Sequence, residues 1–253
     1  MTATGGTVVA DDGAHGTPSS LFGFTTVAHG VNLAKGLTLP LLVTLLLFTN
    51  NQTYTARVYT ALHGLYGILW VLKQVYFPDK NFMKRPSEVI SFNLGIDLDV
   101  SSPLVEFFLN LLLFAGVCTY WLGGSSLILS ELVYGEFYEC GPTRVALAVA
   151  SYGLGVFLHF GADIQKHERL QFKKGLITDG FYSICRSPGY LGEILIYGGF
   201  FALCPLDWPL FVSIAVMVSG MPTFLVGKER SISRHPEYAE YSKRVKLLIP
   251  FIF

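Results

Sequence analysis

Residues 144–163, "RVALAVASYGLGVFLHFGAD", form an apolar stretch whose formal charges stand only at its two ends. A helix needs about 20 predominantly apolar residues to cross the hydrocarbon core of a bilayer. The length and composition of this stretch therefore predict a transmembrane helix. Five further stretches of the chain have the same character, so the fold is predicted from their number and order.

The six predicted spans place a single helical bundle in the membrane. We predict an all-α, polytopic membrane bundle of about six transmembrane helices over residues 23–253, preceded by a flexible tail over residues 1–22. The fifth and sixth spans are separated only by "PLDW", which predicts a tight helical hairpin. The spans lie at about 24–48, 57–77, 103–123, 144–163, 189–204 and 208–227.

The composition excludes several classes of protein. Hydrophobic residues make up 51% of the chain and charged residues 14%, against about 25% charged in soluble domains. The formal net charge is zero, so nucleic acid is not an expected partner. The four cysteines form no CxxC pair and are predicted to be reduced packing residues, with no metal site. The first 20 residues contain no Lys or Arg, which argues against a signal peptide or a mitochondrial presequence.

The basic residues are distributed asymmetrically between the two sides of the predicted bundle. The loops on one side carry only Arg57 and Arg144. This bias follows the positive-inside rule and predicts both termini on the positive face of an integral multi-pass protein. We expect the endoplasmic reticulum or an organellar (mitochondrial) inner membrane. The other side collects Lys80, Lys84, Arg85, Lys166, Arg169, Lys173, Lys174, Arg186, Lys228, Arg230, Arg234, Lys243, Arg244 and Lys246.

The fifth span contains a carboxylate within its apolar sequence "CRSPGYLGEILIYGGF", residues 185–200. Tyr190, Glu193 and Tyr197 lie at i, i+3 and i+7 and so share one face of a helix. An ionised side chain in a membrane span costs roughly 2.5–3.5 kcal/mol, so such residues usually face a protein interior or a wet cavity. Glu193 is therefore a candidate pocket residue. The alternative is that it extends to the interface or caps loop amides.

Two other spans carry polar stripes at helical spacing. In the second span, His63 with Tyr66 is a candidate proton-donor pair, although aromatic stripes mostly serve packing. The second-span stripe is Tyr59, His63, Tyr66, Trp70 and Lys73. The fourth span ends in a charged stripe, which is either a site or an ordinary helix end: His159, Asp163, Lys166 and His167.

The loop after the fourth span, "QKHERLQFKKGLITDGFYSICR", is dense in cations. Arg and Lys bind phosphate by charge and geometry, so a phosphate-bearing cofactor would suit this loop. Lipid headgroups would suit it as well. The C-terminal segment combines charges and tyrosines with a final "LLIPFIF". It either roofs a pocket or anchors the tail at the interface.

The C-terminal half resembles a known family. The stretches "ADIQKHERLQFKKGLITDGFYSICRSPGYLGEILIYGGF" and "KERSISRHPEYAEYSKRVKLLIPF" are similar to the C-terminal domain of the steroid 5α-reductase-like membrane family. The wider superfamily includes sterol C14-reductases and isoprenylcysteine carboxyl methyltransferases. The resemblance covers residues 144–253 and implies a helical bundle with a cofactor pocket open to the cytosolic side. The cofactor is NADPH in the reductases and S-adenosylmethionine in the methyltransferases.

The resemblance also implies which residues bind the cofactor. The family motif Arg-x-Pro-Asn-Tyr-x-Gly-Glu corresponds here to residues 186–193, with Gly189 in place of the Asn. The N-terminal Glu that polarises the substrate carbonyl in reductases has no clear counterpart. Tyr66 with His63 is the nearest candidate for that role, and Glu106 is another. The cofactor-binding residues implied by the resemblance are Asp163, Gln165, Lys166, Arg186, Tyr190, Glu193, Arg230, His235, Tyr238, Tyr241 and Arg244, with Lys228, Glu229 and Pro236 in the same C-terminal signature.

Three functions are consistent with these residues. The first is an NADPH-dependent reductase of a steroid-like or enoyl lipid, with Tyr66, His63 and Glu193 as catalytic candidates. The second is an S-adenosylmethionine-dependent methyltransferase of a lipid-like substrate. The third is an inactive relative that serves as a structural subunit, with stoichiometric membrane-protein partners and no cofactor.

Overall fold

The computed structural model describes residues 26–79, 83–97, 100, 102–250 and 252. The predicted tail, residues 1–22, lies outside the described residues. The described chain is all-helical and contains no strand, which confirms the predicted class. Its helices are α1 (Val27–Thr49), α2 (Tyr54–Tyr76), α3 (Pro86–Leu94), α4 (Pro103–Cys118), α5 (Trp121–Ile128), α6 (Ser130–Tyr134), α7 (Pro142–Phe172), α8 (Phe181–Ile184), α9 (Pro188–Leu203), α10 (Trp208–Ile232) and α11 (Tyr238–Arg244).

Three of these helices, α1, α7 and α10, are long and apolar enough to cross a membrane. The pair α4 and α5 would make a fourth span, bent by 45°. Each of the six predicted spans coincides with a helix, but α9 has only 16 residues and α2 carries several polar side chains. The count of six crossings and the shared face of the termini remain predictions.

Helix α7 extends well beyond the apolar stretch that predicts it. Its 31 residues span about 46 Å at about 1.5 Å per residue, against a hydrocarbon core of about 30 Å. The predicted span ends at Asp163, whereas the helix continues to Phe172. The additional residues are charged and polar but form helix readily, so the charged stripe projects from one end of the bundle.

Close backbone contacts between helices α7 and α9 position the polar residues of the site. A Cβ on Gly192 would lie 2.5 Å from the His159 amide nitrogen and 2.6 Å from the Gly155 carbonyl oxygen. Only glycine permits this approach, as at the small-residue interfaces of membrane helices. Helices α1 and α2 pack in a similar way, because a Cβ on Gly67 would collide with the Lys35 carbonyl.

Candidate functional site

Five buried residues from four helices meet in the centre of the bundle, and we call them the buried cluster. Lys35 comes from α1, Tyr66 and Trp70 from α2, His159 from α7 and Tyr197 from α9. Each of them is at most 5% exposed. Their approach follows from the glycine contacts, because Gly67 brings Lys35 against α2 and Gly192 brings α9 against His159.

Lys35 is the cation of the buried cluster, and the sequence analysis missed it. Its Nζ donates a hydrogen bond of 2.5 Å to the Tyr197 hydroxyl. The ammonium lies 4.4 Å from the ring centre of Tyr66 and 5.4 Å from that of Trp70. The Tyr120 ring is 5.8 Å away and the Tyr197 ring 5.1 Å, so four aromatic faces surround the charge.

Two side-chain atoms of the buried cluster have no hydrogen-bond partner in the described part of the chain. They are the Tyr66 hydroxyl and His159 Nε2. The other ring nitrogen of His159, Nδ1, lies 3.1 Å from the Gly189 carbonyl oxygen. Since a carbonyl only accepts, Nδ1 must carry the proton, and Nε2 of the neutral ring is then an acceptor. The cluster thus presents a free donor and a free acceptor on rings whose centres are 6.3 Å apart.

His63 is bonded away from Tyr66. Its Nδ1 lies 2.7 Å from the Tyr59 hydroxyl oxygen, and its ring stacks on Phe200 at a centroid distance of 4.3 Å. His63 and Tyr66 are one turn apart on α2, but the partners of His63 lie on the far side of that turn. The predicted donor pair stays a prediction, and Tyr66 is the member that faces the buried cluster.

Glu193 lies half-buried on α9, one turn before Tyr197. Its charge acts on the Lys35 ammonium and on the hydroxyls of Tyr66 and Tyr120. It forms no hydrogen bond or ion pair with the described residues. The predicted face Tyr190, Glu193 and Tyr197 is therefore directed towards the buried cluster, with the carboxylate uncommitted.

A rim of ion pairs, which we call the ion-pair rim, lies at the charged end of α7. Lys73 Nζ is 2.7 Å from Asp163 Oδ2, and Lys166 Nζ is 2.7 Å from Asp79 Oδ2. Asp163 lies on α7 one turn beyond His159, so the rim adjoins the buried cluster. The cofactor candidates Asp163 and Lys166 are therefore close together, each with a partner from α2 or from the residues that follow it.

Gln165 fixes the loop that follows α7. Its Nε2 donates to the Asp179 carbonyl oxygen at 3.0 Å, and its Oε1 accepts from the Phe181 amide at 2.9 Å. Arg169 also pairs with Asp179. Both polar ends of the Gln165 side chain are thus occupied within the protein.

The remaining cofactor candidates lie mostly in a second network, which we call the C-terminal clamp: Arg186, Lys228, Glu229 and Tyr238. Arg186 Nε and Nη2 lie 3.1 and 3.0 Å from Glu229 Oε2. Its Nη1 donates to the Val245 carbonyl at 2.7 Å. Tyr238 donates to the same carboxylate at 2.7 Å, and Lys228 donates to Ser187 Oγ at 2.8 Å. Every guanidinium nitrogen of Arg186 is thus used to tie the start of α9 to α10 and the C-terminal segment.

The other C-terminal candidates are dispersed. The Tyr241 hydroxyl donates to the Tyr182 carbonyl at 2.6 Å, and Arg230 Nη1 donates to the Phe92 carbonyl at 2.9 Å. His235 is half-buried in the turn between α10 and α11, and Arg244 is exposed at the end of α11. The structure therefore divides the predicted cofactor residues between the two networks and this outer surface.

Tyr182 on α8 lies between the ion-pair rim and the C-terminal clamp. Burial raises the pKa of its hydroxyl, and the charges of Asp163 and Tyr241 add to the shift. Burial likewise raises the pKa of Tyr241. Both hydroxyls are therefore neutral donors, and the Tyr241 donor is directed to the chain of its neighbour.

Glu106, the other candidate for a substrate-polarising carboxylate, lies away from the buried cluster. It is 3% exposed and accepts from the Ser87 amide at 3.2 Å and from the Ser87 hydroxyl. Arg85 Nη1 lies 3.8 Å from it. Glu106 thus caps the first turn of α3, which is a structural position.

A cavity of about 460 Å³ lies beside the C-terminal clamp. Its walls are mainly apolar, and the clamp residues supply one polar edge. The residues that line it are Pro222, Leu225, Val226, Glu229, Arg230, Ser233, Tyr238 and Leu247. An apolar chain would therefore find a place next to the clamp.

Comparison with known proteins places the chain in a family. A model of the family described as "Protein of unknown function (DUF1295)" matches residues 29–245. The chain belongs to the DUF1295 family. The match runs from α1 to the end of α11 and so includes the buried cluster, the ion-pair rim and most of the C-terminal clamp. No curated protein and no solved structure matches the chain. The description of the DUF1295 family names no reaction, so the functional argument rests on the chemistry of the site.

Proposed function

We propose that this DUF1295 chain is a membrane-embedded, NADPH-dependent reductase of a steroid-like or enoyl lipid. The proposal joins the resemblance of its C-terminal half to the steroid 5α-reductase-like family with the polar groups of the buried cluster. The predicted positive face supports the endoplasmic reticulum or a mitochondrial inner membrane as its place.

The observation that carries the proposal is the Tyr66 hydroxyl. It is 0% exposed and has no hydrogen-bond partner among the described residues. Leaving a buried donor unpaired costs about 1–3 kcal/mol, so such a group usually has a function or a missing partner. A carbonyl oxygen of a lipid-like substrate would accept this hydrogen bond, and Tyr66 would serve as the general acid.

The donor set near the buried cluster fits part of NADPH. The free carboxylate of Glu193 would accept from hydroxyl or carboxamide groups, as would Asp163 on its open side. The phosphates would meet Lys166 on the ion-pair rim and the exposed Lys173 and Lys174 after α7. Arg186 is committed to the C-terminal clamp, so no phosphate contact is assigned to it. When bound, NADPH supplies a hydride to the substrate.

Ligand binding by the purified protein tests this proposal. We expect NADPH to raise the midpoint of thermal unfolding in detergent, because a ligand that binds only the folded state stabilises it. S-adenosylhomocysteine, the product form of the methyl donor, is expected to leave the midpoint unchanged. A shift with S-adenosylhomocysteine alone would favour a methyltransferase, and no shift with either would contradict the reductase.

A second candidate is a structural subunit without turnover. It is favoured by the Arg186 side chain, whose nitrogens all bind within the protein. This candidate predicts stoichiometric membrane-protein partners after mild solubilisation and no shift with NADPH. A free, NADPH-binding protein would exclude it.

A further inference from the structure

Lys35 is unusual because its charge is not required by the fold. It lies within α1, 5% exposed, and its one hydrogen bond goes to a neutral hydroxyl. Lys73, equally buried at 5%, is instead neutralised by Asp163 at 2.7 Å. A buried ion without a bonded counter-ion is unfavourable, and in a membrane span it usually marks a functional position.

The surroundings of Lys35 indicate where its charge acts. The ammonium lies 4.4 Å from the Tyr66 ring centre, and the Tyr66 hydroxyl is the uncommitted donor of the buried cluster. The aromatic faces around Nζ stabilise the cation without neutralising it. The positive field of Lys35 therefore falls on the group that would bind the substrate oxygen.

We propose that Lys35 makes this site selective for lipids whose double bond is conjugated to a carbonyl, and selects against isolated alkenes. The inference rests on the proposed reductase function and narrows its substrate class. It follows from the sign of the charge that each substrate develops.

In a conjugated carbonyl, the hydride adds to the β-carbon and the π electrons move towards the carbonyl oxygen. That oxygen takes the Tyr66 proton, which leaves an enol and a phenolate, and solvent later returns one proton to Tyr66. The substrate gains two electrons, and NADPH is oxidised to NADP⁺. Negative charge develops on oxygen next to Lys35, which a fixed cation stabilises.

In an isolated alkene, a proton must first add to one carbon and leave a carbocation at the other before the hydride arrives. The Lys35 ammonium repels that positive charge in the low dielectric of the bundle. A sulfonium methyl donor would meet the same repulsion. The single charge of Lys35 thus favours one of the chemistries that the superfamily resemblance leaves open.

Binding of two charge mimics to the full-length protein tests the proposal without turnover. Naphthol, a rigid apolar phenol, mimics the enolate, and a lipophilic tertiary amine of similar size mimics the carbocation. We expect the wild type to prefer naphthol over the amine. Lys35→Met should lower that preference by about a hundredfold, which is the size of one electrostatic contact in a preorganised site.

Three further variants control this experiment. Lys35→Arg keeps the charge and should keep most of the preference, and Lys243→Met removes an exposed charge on α11 and should change nothing. If Lys35 were a structural tie, Lys35→Met would lower the thermal midpoint, whereas we expect the midpoint to stay equal or rise. The conservative Tyr197→Phe variant, which removes only the hydrogen-bond acceptor, should keep the preference in direction.

The outcomes separate this inference from the proposed function. Equal preference in wild type and Lys35→Met, tighter binding of the amine to the wild type, or no binding of either probe would overturn the inference. An anion preference that depends on Lys35, in a protein that does not bind NADPH, would support the charge assignment and overturn the reductase. An NADPH-binding protein that reduces an isolated alkene faster than the matched enone would overturn the inference alone.

Discussion

The buried cluster and the C-terminal clamp both surround a cation with aromatic and polar groups, but they satisfy it differently. In the clamp, Arg186 uses all its nitrogens on Glu229 and the backbone of the C-terminal segment. In the buried cluster, Lys35 makes one hydrogen bond to Tyr197, and the neighbouring Tyr66 hydroxyl makes none. The clamp therefore has the polar organisation of a structural tie, and the cluster has that of a binding site.

This difference predicts opposite effects of mutation in the two regions. Removing a satisfied charge leaves its partner unpaired and lowers stability, whereas removing an unsatisfied one relieves a burial penalty. Variants in the clamp should thus act on the free energy of unfolding. Variants in the cluster should act on ligands and turnover.

The largest stability effect is expected from Arg186→Ala. It leaves the Glu229 carboxylate, 18% exposed in its side chain, without its main counter-ion. Breaking such a pair costs about 3 kcal/mol, which denaturant unfolding in detergent would measure. Arg244→Ala, an exposed arginine of the same predicted group, is the control and should change stability by less than about 0.5 kcal/mol. Equal effects of the two substitutions would remove the distinction between the clamp and the surface.

A smaller loss is expected from Lys73→Met on the ion-pair rim. Asp163 then loses its partner at 2.7 Å, but its side chain is 23% exposed and Lys166 is near, so water and that charge compensate in part. The expected loss is about 1–2 kcal/mol. Lys35→Met, at the same burial, should cause no loss. If both substitutions destabilise the protein equally, Lys35 is a structural residue like Lys73.

The smallest stability effect is expected at Gly189. A Cβ there would lie 3.7 Å from Asp163 Oδ1 and 3.9 Å from His159 Nδ1, so a side chain fits without strain. Gly189→Asn should change stability by less than about 0.5 kcal/mol. Because it restores the amide of the reductase motif beside Asp163, it should raise NADPH affinity about fivefold, the value of one hydrogen bond. Gly189→Ala is the matched control, and an equal gain with Ala would contradict the amide contact.

Much of the fold is predictable from the sequence because membrane helices announce themselves locally. The apolar stretch at 144–163 and its five counterparts each coincide with a helix. The same logic identified Glu193 as a charge inside an apolar sequence. It applies equally to Lys35 within "LAKGLTLPLLVTLLLF", so this residue was within reach of the sequence argument and was overlooked.

The partners of the predicted site residues are less accessible to sequence reasoning. Arg186 and Glu229 are 43 positions apart, and their contact depends on how the C-terminal segment returns to α9. Composition also does not reveal that His63 bonds to Tyr59, since Tyr59 and Tyr66 are both neighbours on the same helix. The identity of a polar residue was predictable, whereas the choice between a committed and an uncommitted one required the tertiary structure.

The central claim is that the uncommitted Tyr66 hydroxyl is the general acid of an NADPH-dependent lipid reductase. The most direct measurement compares kcat for a steroid enone in Tyr66→Phe and Tyr152→Phe. Tyr152 on α7 also has a buried hydroxyl without a partner among the described residues, so both variants remove the same group from a similar environment. We predict that Tyr66→Phe lowers kcat about a hundredfold or more with unchanged NADPH affinity and thermal midpoint, while Tyr152→Phe leaves kcat unchanged. An unchanged kcat in Tyr66→Phe, or an equal loss in both variants, would contradict the claim.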